Sequence, residues 1–292
     1  MQKARSIEKI MPPPPAHMVG DGFRVHNFFP GDGTISLQRM SPFFLMDYGP
    51  KTEFPATQNP RGVGVHPHRG FETVTISYYG KVAHHDSAGN SGVIGEGDVQ
   101  WMTAASGVLH KEYHEKEWSK KGGILQMVQL WVNLPAKYKM TDPKYQPILR
   151  EQFGKYNLPG NQGIVEVIAG NYEGVSGPAY SFTPIEMYNL RLNAGSNFTL
   201  QTVQNYNTCF LVIEGNVDVN GKTVYTDCLV LFANDGNDVQ ISTQKNAIVL
   251  VLSGEPINEP IFPYGPFLMN TRQEIIQAYD DLNNGKFGYL ED

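Results

Sequence analysis

Gly64-Val65-His66-Pro67-His68-Arg69-Gly70-Phe71-Glu72 and Gly107-Val108-Leu109-His110-Lys111-Glu112 together carry enough imidazole and carboxylate groups to ligate one metal ion. In an extended strand, residues two apart share a face, so His66 and His68 project together, as do His110 and Glu112. Two such pairs on neighbouring strands could enclose an ion, and a mononuclear metal site is the leading reading. All eight histidines lie at or before position 114, which confines imidazole chemistry to the N-terminal half. From residue 72 to 80 the strand pattern continues, with Val74, Ile76 and Tyr78 on one side and Thr73, Thr75, Ser77 and Tyr79 on the other. If no bulge intervenes, His66, His68, Glu72, Val74 and Ile76 share a face, and the histidines point into a barrel.

Working outward, short β-branched and aromatic runs separated by Gly, Asn and Asp turns predict a mainly β protein. After a Pro- and Lys-containing stretch from Pro135 to Pro147, a second set of strands is expected. These are Ile164 to Ile168, Ile185 to Leu192, Phe198 to Val203, Phe210 to Ile213, Val217 to Val219 and Ala247 to Leu252. Asn220-Gly221 is a two-residue hairpin signal. The expectation is two jelly-roll β-barrels, residues 1–135 and 136–292, with a C-terminal helix in the second. That helix is read from the capping box Thr271-Arg272-Gln273-Glu274, from Ile275, Ala278, Tyr279 and Leu282 at helical spacing, and from the stop at Asn284-Gly285. Its apolar stripe is expected to dock on a barrel.

The halves superpose as a weak internal repeat. With Gly80 on Gly215, His66, His68 and Glu72 meet Gln201, Val203 and Asn207; with Gly107 on Gly236, His110 and Glu112 meet Val239 and Ile241. Poor ligands stand at each matching position, so only the first barrel is expected to hold metal, while the second fills its interior with side chains.

Composition excludes several function classes. Hydrophobic residues at 40% and charged residues at 18% suit a soluble globular chain, and no apolar run is long enough to span a bilayer. The start, Met1 to Glu8, leads into Pro12 to Pro15 instead of an apolar signal core, so no secretion signal is read. Cys209 and Cys228 are too few for a disulfide framework and lie far from any histidine; they read as packed core thiols, and a cytoplasmic location fits. A formal net charge of −6 gives no general attraction to nucleic acid. Lys116, Lys120 and Lys121 beside Glu115 and Glu117 read as a solvated loop.

Imidazoles with a carboxylate suit divalent iron, copper, nickel, manganese or zinc, and no nearby cysteine favours a thiolate zinc site. Three histidines and one carboxylate leave one or two positions open on a five- or six-coordinate ion, which oxygen or substrate activation requires. Strand parity permits either Glu72 or Glu112 as the carboxylate.

The first half resembles the cupin superfamily, which pairs His-x-His with a later Gly-x-x-His. His66-Pro67-His68-Arg69-Gly70-Phe71-Glu72-Thr73-Val74, Gly97-Asp98-Val99-Gln100-Trp101-Met102-Thr103-Ala104 and Gly107-Val108-Leu109-His110-Lys111-Glu112 are more narrowly similar to the pirin family. Leu130-Trp131-Val132-Asn133-Leu134-Pro135 and Gly265-Pro266-Phe267-Leu268-Met269-Asn270-Thr271 extend the likeness over nearly the whole chain. The resemblance implies a bicupin whose first barrel binds iron through His66, His68, His110 and Glu112, with Glu72 left behind the ligands or in a structural role. It gives His84-His85-Asp86 a loop or supporting place outside the ligand set. His114 reads as a surface residue, Trp101 and Met102 as core, and His17 and His26 carry no spacing signal.

Pirin relatives imply two classes of activity. One is an oxidoreductase of the quercetin 2,3-dioxygenase (quercetinase) type, in which metal and dioxygen open the central ring of an aromatic flavonol and Glu112 additionally accepts the flavonol proton. The other is an iron-dependent, redox-responsive regulator that binds a transcription factor or a metabolic enzyme. A third reading is a scaffold whose ion only ties strands together. Open coordination inside a barrel favours the enzyme.

Overall fold

The β-branched runs form strands nearly where the sequence places them. Ile185–Leu192 and Val217–Val219 have the expected bounds, Ile164 to Ile168 lengthens to Gly163–Ala169, and Phe198 to Val203 shortens to Asn197–Gln201. Asn220 and Gly221 take φ of +48° and +77°, the twist that a two-residue hairpin between Val217–Val219 and Lys222–Val224 requires. The computed structural model describes residues 3–31 and 33–292; Met1 and Gln2 of the stretch read for a secretion signal lie outside them. No helix among the described residues is long and apolar enough to cross a membrane.

Two compact units result. The first has a seven-stranded antiparallel sheet in the order Lys144–Ile148, Val99–Thr103, Phe71–Tyr79, Gly123–Asn133, Phe43–Phe54, Phe23–Phe29, Ala16–Val19. Its second sheet runs Gly62–His68, Val108–His114, Val82–Asp86, Ser91–Ile94. The other unit repeats this order: Ile7–Met11, Leu229–Phe232, Asn207–Glu214, Ala247–Gly254, Ile185–Leu192, Gly163–Ala169, Gly154–Leu158, and then Asn197–Gln201, Asp238–Ser242, Val217–Val219, Lys222–Val224. Each is a jelly-roll barrel, and the internal repeat is real.

The repeat also explains the second barrel's interior. Val239 and Ile241, which match His110 and Glu112, are buried among Leu200, Val212, Val217 and Val219. Val203, which matches His68, lies outside its strand and is 39% exposed. Apolar side chains thus fill this barrel where the first has His110 and Glu112.

The expected boundary at 135/136 differs from the observed units, because both chain ends cross over in sequence. One unit is Pro14–Gln38, Phe43–Arg150 and Ile257–Asp292; the other is Met1–Pro13, Arg39–Pro42 and Glu151–Pro256. Lys144–Ile148, within the stretch read as the boundary, pairs with Val99–Thr103, and Ile7–Met11 pairs with Leu229–Phe232. Each satisfies backbone groups that a sheet edge would otherwise leave open. Lys139 of the same stretch is 1% exposed and donates from Nζ to Gly70 O (2.7 Å), Leu268 O (2.8 Å) and Asn133 Oδ1 (2.5 Å). Burial pulls its ammonium down to about 7.

The C-terminal helix, Arg272–Asn283, belongs with the first barrel's unit, not the second's. Ile275 and Ala278 pack on Phe267, Met269 and Phe287. Thr271 Oγ1 accepts the Glu274 N–H at 3.2 Å and Glu274 Oε2 accepts the Thr271 N–H at 2.8 Å, the reciprocal cap read from the sequence. Thr271→Ala is expected to cost about 1 kcal/mol of stability in a denaturant titration, because it strands one backbone donor at the helix start.

Several local readings change. His114 is buried, not superficial: it continues the inward parity of His110 and Glu112, its Nε2 donates to Gly22 O at 2.7 Å, and Phe23, Phe54 and Trp118 meet its ring edge-on. Lys116–Lys121 is a short helix capped by the Glu115 side chain, not a loop. Trp101 and Met102 are fully buried, and Cys209 and Cys228 are free thiols.

Candidate metal centre

His66 and His110 are direct cross-strand partners, and His68 lies opposite Val108 on the same antiparallel ladder. The ring centroids stand 4.2 Å (His66 to His110), 4.7 Å (His68 to His110) and 4.8 Å (His66 to His68) apart. One potential ligand atom from each lies within 4.8 Å of the others. The register slips between His110 and Glu112, so Glu112 falls opposite Val63 on one side and His84 on the other. Glu112 forms a second such group with His84 and His110. The four expected residues thus fall in two groups that share His110, Glu112 standing in the second with His84.

Protonation is fixed by what the rings touch. His66 Nδ1 lies 2.8 Å from Gly64 O and His68 Nδ1 3.3 Å from Pro266 O. A carbonyl only accepts, so each Nδ1 carries a proton, which leaves Nε2 as the nitrogen that would face a metal. Burial, with the neighbouring imidazoles, holds His68 and His110 well below the ordinary histidine value, so both are neutral. Neither ring nitrogen of buried His110 has a hydrogen-bond partner. Such an orphan is costly in a folded protein unless something coordinates it, and a divalent metal fits.

Glu112 is held from the opposite sheet. Gln100 Nε2 donates to its Oε1 at 3.0 Å, and the Thr75 hydroxyl lies 3.1 Å from the same oxygen. His84 lies on the strand Val82–Asp86, fully buried, and not in a loop. Its Nδ1 accepts from Gln100 Nε2 at 3.2 Å and its Nε2 donates to Asp86 Oδ2 at 3.3 Å, while Tyr145 stacks on the ring. Thr75, Gln100 and His84 escaped the sequence reading as site residues, although the alternation of Val82-Ala83-His84-His85-Asp86 was a signal for His84.

Glu72 is on the other face. The chain turns at Gly70 (φ +90°) between the strands Gly62–His68 and Phe71–Tyr79, and this resets the alternation. Phe71 then meets His68 at 5.0 Å, Thr75 reaches Glu112, and Glu72 turns away to accept from Thr103 Oγ1 at 2.7 Å. The expectation that Glu72, Val74 and Ile76 share a face with His66 and His68 is thereby corrected. Burial pushes the Glu72 carboxyl up to about 7.

His66, His68 and Glu112 open onto a cavity of about 410 Å³, whose wall is mostly apolar but includes Asp47, Gln129 and Trp131. That volume is in the range of small-molecule sites, about 300–1,000 Å³.

The pirin family profile matches residues 22–132, and that of the pirin C-terminal cupin domain matches residues 187–288. A Pseudomonas aeruginosa protein that carries a provisional quercetin 2,3-dioxygenase name is 46% identical over 271 residues, 93% of this chain and 94% of that protein. A pirin-like protein of tomato (Solanum lycopersicum) is 37% identical over 271 residues, 89% of each chain. The crystal structure of an Acinetobacter baumannii quercetin 2,3-dioxygenase superposes with a TM-score of 0.92 at 42% identity, covering 99% of this chain and 100% of that one. With the paired barrels and with relatives aligned over nearly its whole length, this chain belongs to the pirin family.

Proposed function

We propose that this chain is a metal-dependent dioxygenase of the quercetin 2,3-dioxygenase type that acts on flavonols, with His66, His68, His110 and Glu112 as ligands of ferrous iron. The observation that carries the reading is the cluster of His66, His68 and His110, with orphaned His110 nitrogens, beside a largely apolar cavity of about 410 Å³ that His66 and His68 line. The provisional names of the relatives agree with it.

Iron bound there would supply Lewis acidity toward the flavonol oxygens and redox access to dioxygen. The chain's own residues do the rest. Trp131 and the aliphatic wall hold a planar ring system and exclude water. His66 and His68 keep Nε2 directed to the ion because Gly64 and Pro266 hold their other nitrogens. Gln100 donates to Glu112 Oε1, which leaves Oε2 to take the proton of the flavonol hydroxyl.

Anaerobic reconstitution with ferrous iron, followed by quercetin and oxygen, is expected to give loss of the flavonol absorbance with stoichiometric carbon monoxide. Absence of turnover with iron, copper, manganese and nickel alike would show that the reading is wrong.

A further inference from the structure

The cavity wall on the seven-stranded sheet carries a row of polar side chains that the metal ligands only partly explain. Asn27 pairs in register with Asp47, Asp47 with Gln129, Gln129 with Thr75, and Thr75 with Gln100. Five strands thus present one polar residue each at the same level of the barrel. Gln100 serves Glu112, and the Thr75 hydroxyl stands beside the same carboxylate. Asp47 and Gln129 do not touch it, and both line the cavity.

Their flanking bonds orient them. Asn27 Nδ2 donates to Asp47 Oδ1 at 2.7 Å, and Thr75 Oγ1 donates to Gln129 Oε1 at 2.6 Å. Asp47 is left with Oδ2 to offer and Gln129 with its Nε2 hydrogens: an acceptor beside a donor on neighbouring strands. One hydroxyl group satisfies both, donating to the carboxylate and accepting from the amide. Around them Val19, Val25, Leu45 and Met127 offer no polar side-chain group. Neighbouring strands lie about 4.8 Å apart, so Asp47 stands two strands, about 10 Å, from the strand whose Thr75 lies beside Glu112.

We propose that Asp47 and Gln129 form a hydroxyl-recognition subsite, which grips a ring hydroxyl at the end of the substrate remote from its metal-binding oxygens and so selects polyhydroxylated flavonols. The proposal rests on the flavonol reading above and names the feature of the substrate that this wall recognises. Asp47 is a specificity residue in it, not a metal ligand.

Equilibrium binding to the iron-loaded protein under strict anaerobiosis tests it without any need for turnover. The two probes are quercetin and 3-hydroxyflavone, which keeps the metal-binding oxygens and lacks the other hydroxyls. Native protein is expected to bind quercetin at least about tenfold more tightly, the effect of one hydrogen bond to a charged partner. Asp47→Ala and the isosteric Asp47→Asn should shrink that preference severalfold while 3-hydroxyflavone affinity and iron content stay unchanged. Equal binding of the two probes by native protein, or full retention of the preference in both variants, would overturn the subsite and leave the flavonol reading intact. Failure of both probes to bind native holoprotein would overturn the flavonol reading itself, and the subsite with it.

Discussion

Replacing His110 with alanine is expected to remove metal binding and flavonol cleavage together. His110 is the member common to both groups of potential ligands, and it faces His66 directly across the ladder. Without it His66 and His68 remain on one strand and Glu112 on another, with no group to close the set between them. Loss even of a residue that only supports a ligand typically costs about 10–100-fold in metal affinity, and loss of a ligand itself should exceed that. Elemental analysis of the purified variant is expected to find substoichiometric metal, with turnover at least about a hundredfold down. The metal-free variant should nonetheless melt close to metal-free native protein. Removing two buried ring nitrogens that have no partner offsets part of the cavity left behind. A variant that keeps full metal content would show that the ion sits elsewhere.

The two carboxylates that strand parity could not separate give the internal control. Glu112→Gln should lose metal, since it removes a charged donor beside His110. Glu72→Gln should retain it, because Glu72 lies across the sheet with Thr103. The sequence pattern left this open for a physical reason. Alternation identifies a face only while the strand continues, and Gly70 is compatible with both continuation and a turn. What decides it is distant: a Cβ at position 70 would stand 2.1 Å from Leu268 O, so the close approach of a segment nearly 200 residues away demands glycine there.

The same contrast between local and distant causes runs through the chain. Strand periods, the Asn220-Gly221 hairpin, the Thr271 cap and the His66/His68 spacing are set within a few residues, and all were legible. The repeat was legible because Gly80 and Gly215 each end a strand with positive φ, +84° and +75°. The division into units was not, because which barrel an end segment completes depends on the edge it meets and not on its own composition. Lys139 shows this most plainly. Its stretch reads only as Pro- and Lys-containing chain between two strand sets, yet its ammonium is enclosed by carbonyls of Gly70 and Leu268 and by Asn133.

The second large effect is expected at Asp281, which ties the C-terminal helix to the turn that follows His68. Arg69 Nη1 donates to Asp281 Oδ2 at 2.8 Å, Arg69 Nε donates to Ser106 O at 2.6 Å, and the guanidinium lies 4.6 Å over the Phe287 ring. Lys286 Nζ and Gln277 Nε2 donate to Oδ1 at 2.8 and 2.9 Å. Removing one partner of such a buried pair leaves the other charge uncompensated, so Asp281→Ala should lower stability by about 3 kcal/mol. Asp281→Asn, which keeps the shape and some hydrogen bonds, should cost less. Lys286 and then Arg69 hold the carboxyl well below the usual carboxylate range. A depressed folded-state value means that the contribution is complete above the unfolded value of about 3.9 and is lost as pH falls toward the folded one. The gap between native and Asp281→Ala melting temperatures should accordingly be constant near neutrality and close below about pH 4. Because Arg69 adjoins His68, the variant should also bind metal more weakly, whereas Thr271→Ala, at the far end of the same helix, should not. Equal metal affinity in the two variants would confine Asp281 to anchoring the helix.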